Sequence, residues 1–315
     1  MKVLCVGMMV CDVLLSPVPD NIMEQEVSII SKPVYACGGD ALNVAFALKK
    51  LGVEVMVSGR IGMDSAGEFL LKECNLLKIE TTNLIQDKQC PTAISFALID
   101  KKGERHFLSE NSIFSKLAFD DIDLISIQQS DYVYFGSAMM MSAMDNGGLV
   151  KLFKTAHDLG KITVLDAAIN DKKGIKNWLE VLSPVLRETD FFFPSYGEAK
   201  LLSGKSDPQK ISKLFDDFGM KAFGIKLGSD GCYVTDFINE KFIPGIKNVK
   251  VVDTTGAGDS FMAGFICALI HGNDIFEGAE FGNTIAALNI GSIGGAAGVP
   301  DFETARKFYL DKKQK

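Results

Sequence analysis

Short apolar runs rich in Val, Ile, Phe and Tyr recur along the chain. Each is followed by a stretch whose apolar positions return at helical spacing. The runs at 3–6, 53–58, 132–135, 163–165, 191–193 and 222–226 predict strands, and the stretches at 41–51, 65–74, 146–159, 208–218 and 260–271 predict helices. The runs are continuously apolar rather than alternating, which is the pattern of strands covered on both faces. Strands alternating with helices predict an α/β fold, a doubly wound, mostly parallel sheet flanked by helices. Ligands of such sheets bind beyond the carboxyl ends of the strands, in the loops leading to helices.

Two segments, 15–37 and 92–110, break the rhythm. Residues 93–99 and 104–109 flank Asp100-Lys-Lys-Gly103 and predict a hairpin, with 27–34 as a strand beside it. Strands inserted at the ligand end of an α/β sheet predict a small β lid. The remaining segments, 1–14, 38–91 and 111–315, are then the nucleotide- and substrate-binding core. No linker or repeat divides the chain.

Composition narrows the chemistry. The 315 residues carry a net charge of −7 with no run dense in Lys or Arg, so a nucleic-acid footprint is missing. A negative protein that holds a polyanion must do so locally, with backbone N–H groups, a few lysines and a metal. Seven scattered cysteines without a C-x-x-C pair argue against a disulfide framework or a zinc site, and fit a reducing compartment. Residues 281–300 are uncharged and long enough to span a bilayer, yet their glycines and Asn283 and Asn289 suit a packed helix followed by a Gly-rich loop. A cytoplasmic protein without membrane association is expected.

The strongest chemical signal is Asp253-Thr-Thr-Gly256-Ala257-Gly258-Asp259-Ser260, which leads into an apolar helix. Glycines at a helix mouth let the chain turn tightly while free N–H groups and the positive dipole end face outward. That nest suits phosphate and the charge that grows during phosphoryl transfer. Asp259 stands at the helix start, placed to take a proton from an attacking hydroxyl. The bland alternative is a helix cap, which needs no such glycine-rich lead-in. A second element, Gly38-Gly39-Asp40-Ala-Leu-Asn43, puts paired glycines before a helix and an amide in its first turn, matched to a sugar hydroxyl. Asp12, after the first strand, is either a loop carboxylate or an acceptor for two hydroxyls.

Together these two elements resemble the signatures of the PfkB (ribokinase-like) carbohydrate kinase family, across essentially the whole chain. The resemblance implies a ribokinase-like fold and an ATP- and Mg²⁺-dependent kinase acting on a sugar or sugar derivative. Asp259 would be the general base, with Gly256, Ala257 and Gly258 as the anion hole and Asp12, Gly38, Gly39 and Asn43 as the sugar-binding set. It also implies nucleotide contacts from Lys226, Gly228, Gly231 and Asn283, and from the loop at Ala296 and Gly298. Glu198 would organise Mg²⁺ through water, and a monovalent cation such as K⁺ would sit beside Asp253 and Thr255. Ser195 stands where the family carries Asn. A homodimer through the lid is a further implication.

Substrate identity is less marked. Val10, Asp40 and Gly136 stand where ribokinases proper carry Asn, Lys and Glu, so strict ribose specificity is not expected. Met8, Met9 and Met139 to Met141 either line a larger pocket or fill core. Phe96, Arg105 and His106 of the lid are candidates for reading the substrate. The rival readings are a nucleoside kinase of the same family and a non-catalytic sugar or nucleotide sensor.

Overall fold

The computed structural model describes residues 1–31, 33–101, 105–169, 174–175 and 177–313. Its strands are β1 (Lys2–Val6), β2 (Val10–Leu15), β3 (Val34–Gly38), β4 (Glu54–Gly62), β5 (Glu80–Asp87), β6 (Ala93–Ile99), β7 (Arg105–Glu110), β8 (Tyr132–Ala138), β9 (Ile162–Ala167), β10 (Phe191–Phe192), β11 (Ala222–Lys226), β12 (Gly231–Thr235) and β13 (Glu240–Pro244). The helices are α1 (Asp40–Lys50), α2 (Ser65–Leu76), α3 (Leu124–Gln129), α4 (Leu149–Asp158), α5 (Trp178–Leu186), α6 (Tyr196–Ser203), α7 (Pro208–Ser212), α8 (Ala257–Ile270), α9 (Ile275–Asn289) and α10 (Phe302–Lys313).

A nine-stranded sheet runs β13-β12-β11-β10-β9-β8-β1-β4-β5, and a separate four-stranded sheet runs β3-β2-β6-β7. Pairing in the large sheet is parallel from β5 to β11, and the β12–β13 hairpin closes the other edge antiparallel. The apolar strands have the cause the sequence suggested. Alternate residues of β1 enter opposite cores: Val3 and Cys5 join α1, α8 and α9, while Leu4 and Val6 join α4, α5 and α6.

Three local differences have physical reasons. The strand β2 lies in the small sheet, although residues 1–14 read as core: Val10 pairs with both Gly38 and Ala93, so the chain changes sheets right after Gly7 to Met9. The strand expected at 27–34 begins at Val34, where pairing with Leu14 becomes available. The helix expected over 208–218 stops after Ser212 and resumes as a single tight turn at Asp216–Phe218. Residues 102–104 of the expected hairpin turn lie outside the described residues.

The register of the small sheet decides which residues share a face with Asp12. Asp12 pairs with Ala36 on one side and Ser95 on the other, and Ser95 with Ser109, so these share a face. Phe96 pairs with Val13 and Leu108, and His106 with Leu98, on the opposite face. Phe96 and His106 therefore point away from Asp12, contrary to the expectation that they read the substrate. Arg105 pairs with Ile99, four residues along β6 from Ser95, or about 13 Å; its side chain lies outside the described residues.

Candidate active site

The site forms where α1 and α8 begin side by side at the carboxyl ends of the parallel strands. Gly256 caps α8 with φ 69°, a left-handed conformation open to glycine at little cost. A Cβ there would overlap the Gly295 carbonyl, so the loop from Asp253 to Gly256 and the Gly-rich loop touch backbone to backbone. Ala257, Gly258 and Asp259 form the first turn of α8, whose N–H groups have no partner within the helix.

Asp259 is buried, and Asn43 Nδ2 donates to its Oδ2 at 2.8 Å. Asn43, expected to offer its amide to a sugar hydroxyl, thus spends one N–H on Asp259. Burial pushes the Asp259 carboxyl well above the ordinary range, and the charges of Asp40 and Asp166 add to it; Asn43 and Lys226 oppose them. A carboxylate with raised basicity is suited to accept a proton from an alcohol.

Two neighbours were not singled out as chemistry from sequence. Asp166 is the penultimate residue of β9, and its two oxygens receive Lys226 Nζ at 3.1 and 2.9 Å. Burial alone would push the Lys226 ammonium down, but Asp166 and Glu198 outweigh it and hold the group above its usual range. A charge immediately after an apolar run, at the carboxyl end of a parallel strand, was the available signal for Asp166. Asp40, read as a lost polar contact, instead brings a carboxylate into the cluster and accepts from the Ser137 hydroxyl. Burial and then Asp166 push its carboxyl up.

Asp12 presses against Gly38, where a Cβ would overlap its carboxyl oxygen. Gly38 thus admits the Asp12 side chain rather than a ligand. Burial, reinforced by Asp253, raises the Asp12 carboxyl to about 6. Gly39 turns the chain with φ 89° directly before α1.

On the other side of the α8 mouth lies a cavity of about 280 Å³. Lys226, Gly228, Gly231, Thr254, Ala257 and Gly258 form its polar rim, and Val251, Phe261, Ala286 and Ile290 its apolar wall, with Asn283 set among them. Asn283 Nδ2 already donates to the Ile243 carbonyl at 3.4 Å. Ser195 and Glu198 close a capping box at the start of α6: the Ser195 N–H and Oγ both donate to Glu198 Oε2, at 2.7 and 2.6 Å. Ser195 therefore supports Glu198 rather than reaching outward. Burial, then Asp166, pushes the Glu198 carboxyl up. Met139 and Met141 are buried in the second core and Met9 in the first, so these three are filling.

Asp253 links two loops, accepting from Thr255 N–H at 2.7 Å and from Gly294 N–H at 2.9 Å. Among the described residues no helix is long and apolar enough to cross a membrane.

A glycine-capped helix mouth with a buried carboxylate in its first turn, beside a cavity with an apolar wall, fits a transferase that phosphorylates a sugar. The chain belongs to the pfkB family of carbohydrate kinases, which it matches over residues 1–301. It is 28% identical over 254 residues to an uncharacterized sugar kinase of Archaeoglobus fulgidus, covering 80% of this chain and 98% of that one. It is 26% identical over 289 residues to the 2-dehydro-3-deoxygluconokinase of Bacillus subtilis, covering 90% and 88%. A putative ribokinase II from E. coli, solved with ATP and Mg²⁺, shares the fold with a TM-score of 0.87 at 22% identity, over 98% of this chain and 99% of that one.

Proposed function

We propose that this protein transfers the γ-phosphoryl group of ATP to a hydroxyl of a neutral sugar or sugar derivative. The observation that carries the reading is the position of Asp259, in the first turn of α8 between the Asp12 side and the apolar cavity. Asp259 takes the hydroxyl proton as the oxygen attacks phosphorus, the bond to the β-phosphate oxygen breaks, and ADP leaves with that electron pair. The N–H groups at Gly256, Ala257 and Gly258 receive the charge on the transferring group. The cavity's apolar wall suits a nucleobase, and Lys226 on its rim suits phosphate. Mg²⁺ would neutralise phosphate charge, held through water near Glu198, whose carboxyl lies beside Asp166. The E. coli neighbour, which carries ATP and Mg²⁺, supports this choice of donor. The small sheet, with Asp12 and Ser95 on one face, acts as the lid over the acceptor.

The charge pattern favours a neutral acceptor. Among the described residues the charged groups acting most strongly on Asp12, Asp40 and Asp259 are other carboxylates, and the one cation that acts on them, Lys226, is tied to Asp166. A sugar acid or sugar phosphate would meet like charge, a cost of several kcal/mol. The test is ADP release on a panel of neutral sugars, nucleosides, sugar acids and sugar phosphates. A neutral sugar is expected to lead in kcat/KM by about 10²-fold or more over any anionic one. A best substrate that is anionic would overturn the neutral assignment, a nucleoside in first place would transfer the assignment to that class, and no turnover with any member would remove the kinase reading.

Asp12 adds a pH signature. Its carboxyl takes up a proton near 6, so KM for the acceptor is expected to rise as pH falls through about 6 while KM for ATP holds steady. The same group acts on stability in the opposite sense. Its folded-state value lies above the unfolded one, so its contribution is full at low pH and is lost as pH rises through about 6. In Asp12→Asn both trends should disappear; an acceptor KM that keeps the same pH profile would show that another group sets it.

A further inference from the structure

Asn289 ends α9, fully buried, and its amide is engaged at both ends. Nδ2 donates to the main-chain carbonyls of Thr255 at 3.3 Å and Gly295 at 2.9 Å, and Oδ1 accepts from Gly298 N–H at 3.1 Å. The Thr255 carbonyl belongs to the same planar peptide as the Gly256 N–H, so fixing that oxygen fixes the direction of an anion-hole donor. The Gly295 carbonyl is the atom that Gly256 packs against, and a Cβ on Gly295 would overlap the Asn43 amide that holds Asp259. One side chain therefore sets the anion hole and, through Gly295, the seat of Asn43.

Asp253 grips the same two loops in the complementary way. Its carboxylate gathers the N–H groups of Thr255 and Gly294, while the Asn289 amide gathers the carbonyls of Thr255 and Gly295. A monovalent cation beside Asp253 and Thr255, as the family resemblance implies, would act by drawing carbonyl oxygens together. In this chain the Asn289 N–H₂ group already draws the Thr255 and Gly295 carbonyls together, and each oxygen of the Asp253 carboxylate already takes an N–H group.

We propose that Asn289 is a positioning residue which orders the anion hole with a neutral amide in place of a bound monovalent cation, so that phosphoryl transfer does not require potassium. The proposal rests on the kinase reading. Preorganised donors count most in the transition state, so loss of Asn289 should lower kcat far more than it raises either KM.

The test uses the full chain with its best acceptor from the panel. Exchanging potassium for tetramethylammonium is expected to leave the turnover of the unmodified protein unchanged. Asn289→Ala should lose about 10²-fold in kcat with the acceptor KM nearly constant. Asn289→Asp offers a carboxylate and no N–H, so it should be equally slow in tetramethylammonium and recover with potassium, which a merely structural role would not produce. A potassium requirement in the unmodified protein overturns the proposal even if neither variant folds. So does a folded Asn289→Ala enzyme with normal kcat, or an Asn289→Asp enzyme indifferent to potassium. Absence of turnover under every salt overturns the kinase reading itself.

Discussion

Replacing Asp259 with Asn is expected to lower turnover by about 10³-fold while raising the melting temperature by about 2–4 °C. The first effect follows from removing the proton acceptor, since an amide cannot take the hydroxyl proton. The second follows from the surroundings. Asp259 is buried beside Asp40 and Asp166, and its ionised form is disfavoured by burial and by both charges. The asparagine keeps an oxygen for Asn43 Nδ2 and removes a costly charge. The sign with pH is set by the same facts. A folded-state value above the unfolded one means that stability is lost as pH rises through the folded value. The variant escapes that loss, so its advantage in melting temperature should widen toward alkaline pH. Nearly normal turnover would rule out Asp259 as the base, and a lower melting temperature would mean that attraction to Lys226 outweighs the carboxylate repulsion. ATP affinity, measured by calorimetry, should be nearly unchanged.

The second large effect is expected at Gly256, and it separates two glycines that the motif treats alike. Gly256 is left-handed and its Cβ position is filled by the Gly295 carbonyl, which is backbone and cannot swing aside. Gly256→Val adds left-handed strain of about 1–3 kcal/mol, before any clash is counted. It should also cost about 10²–10³-fold in kcat through the displaced donors, with a lower melting temperature. At Gly258 a Cβ would lie 3.3 Å from Lys226 Nζ, the end of a flexible side chain. Gly258→Ala should keep its melting temperature and act mainly on KM for ATP. Equal thermal damage from the two variants would show that the contact between loops is not what demands glycine at 256.

The parts of the site that could be read from the sequence are those written in consecutive residues. Paired glycines before α1, and the run from Asp253 to Ser260 before α8, announce helix mouths because a nest needs its glycines adjacent to the helix it opens. The parts that could not be read depend on which strands become neighbours. Asp166 and Lys226 are 60 residues apart and two strands apart in the sheet, and they meet because β10 between them ends at Phe192, short of both. Asn289 sits in the last turn of a helix with nothing local to mark it, and its role comes from two loops that converge only in the fold. Phe96 shows how sharply such reasoning depends on register. A one-residue slip against Val13 would turn it toward Asp12, and the pairing that runs from Val10–Ala93 to Leu15–Leu98 excludes that.

The place of β1 has a consequence for how the chain is made. It is made before every other strand of the sheet, yet it lies between β4 and β8, with Val3 opposite both Val55 and Tyr132. Its β4 neighbour arrives early, but its β8 edge waits for Tyr132. At the usual pace of synthesis that is about 10 s during which an apolar edge stays open on the ribosome. A nascent chain arrested between α2 and β8 should therefore engage chaperones and aggregate readily, and one arrested after β8 has cleared the exit tunnel should do so far less.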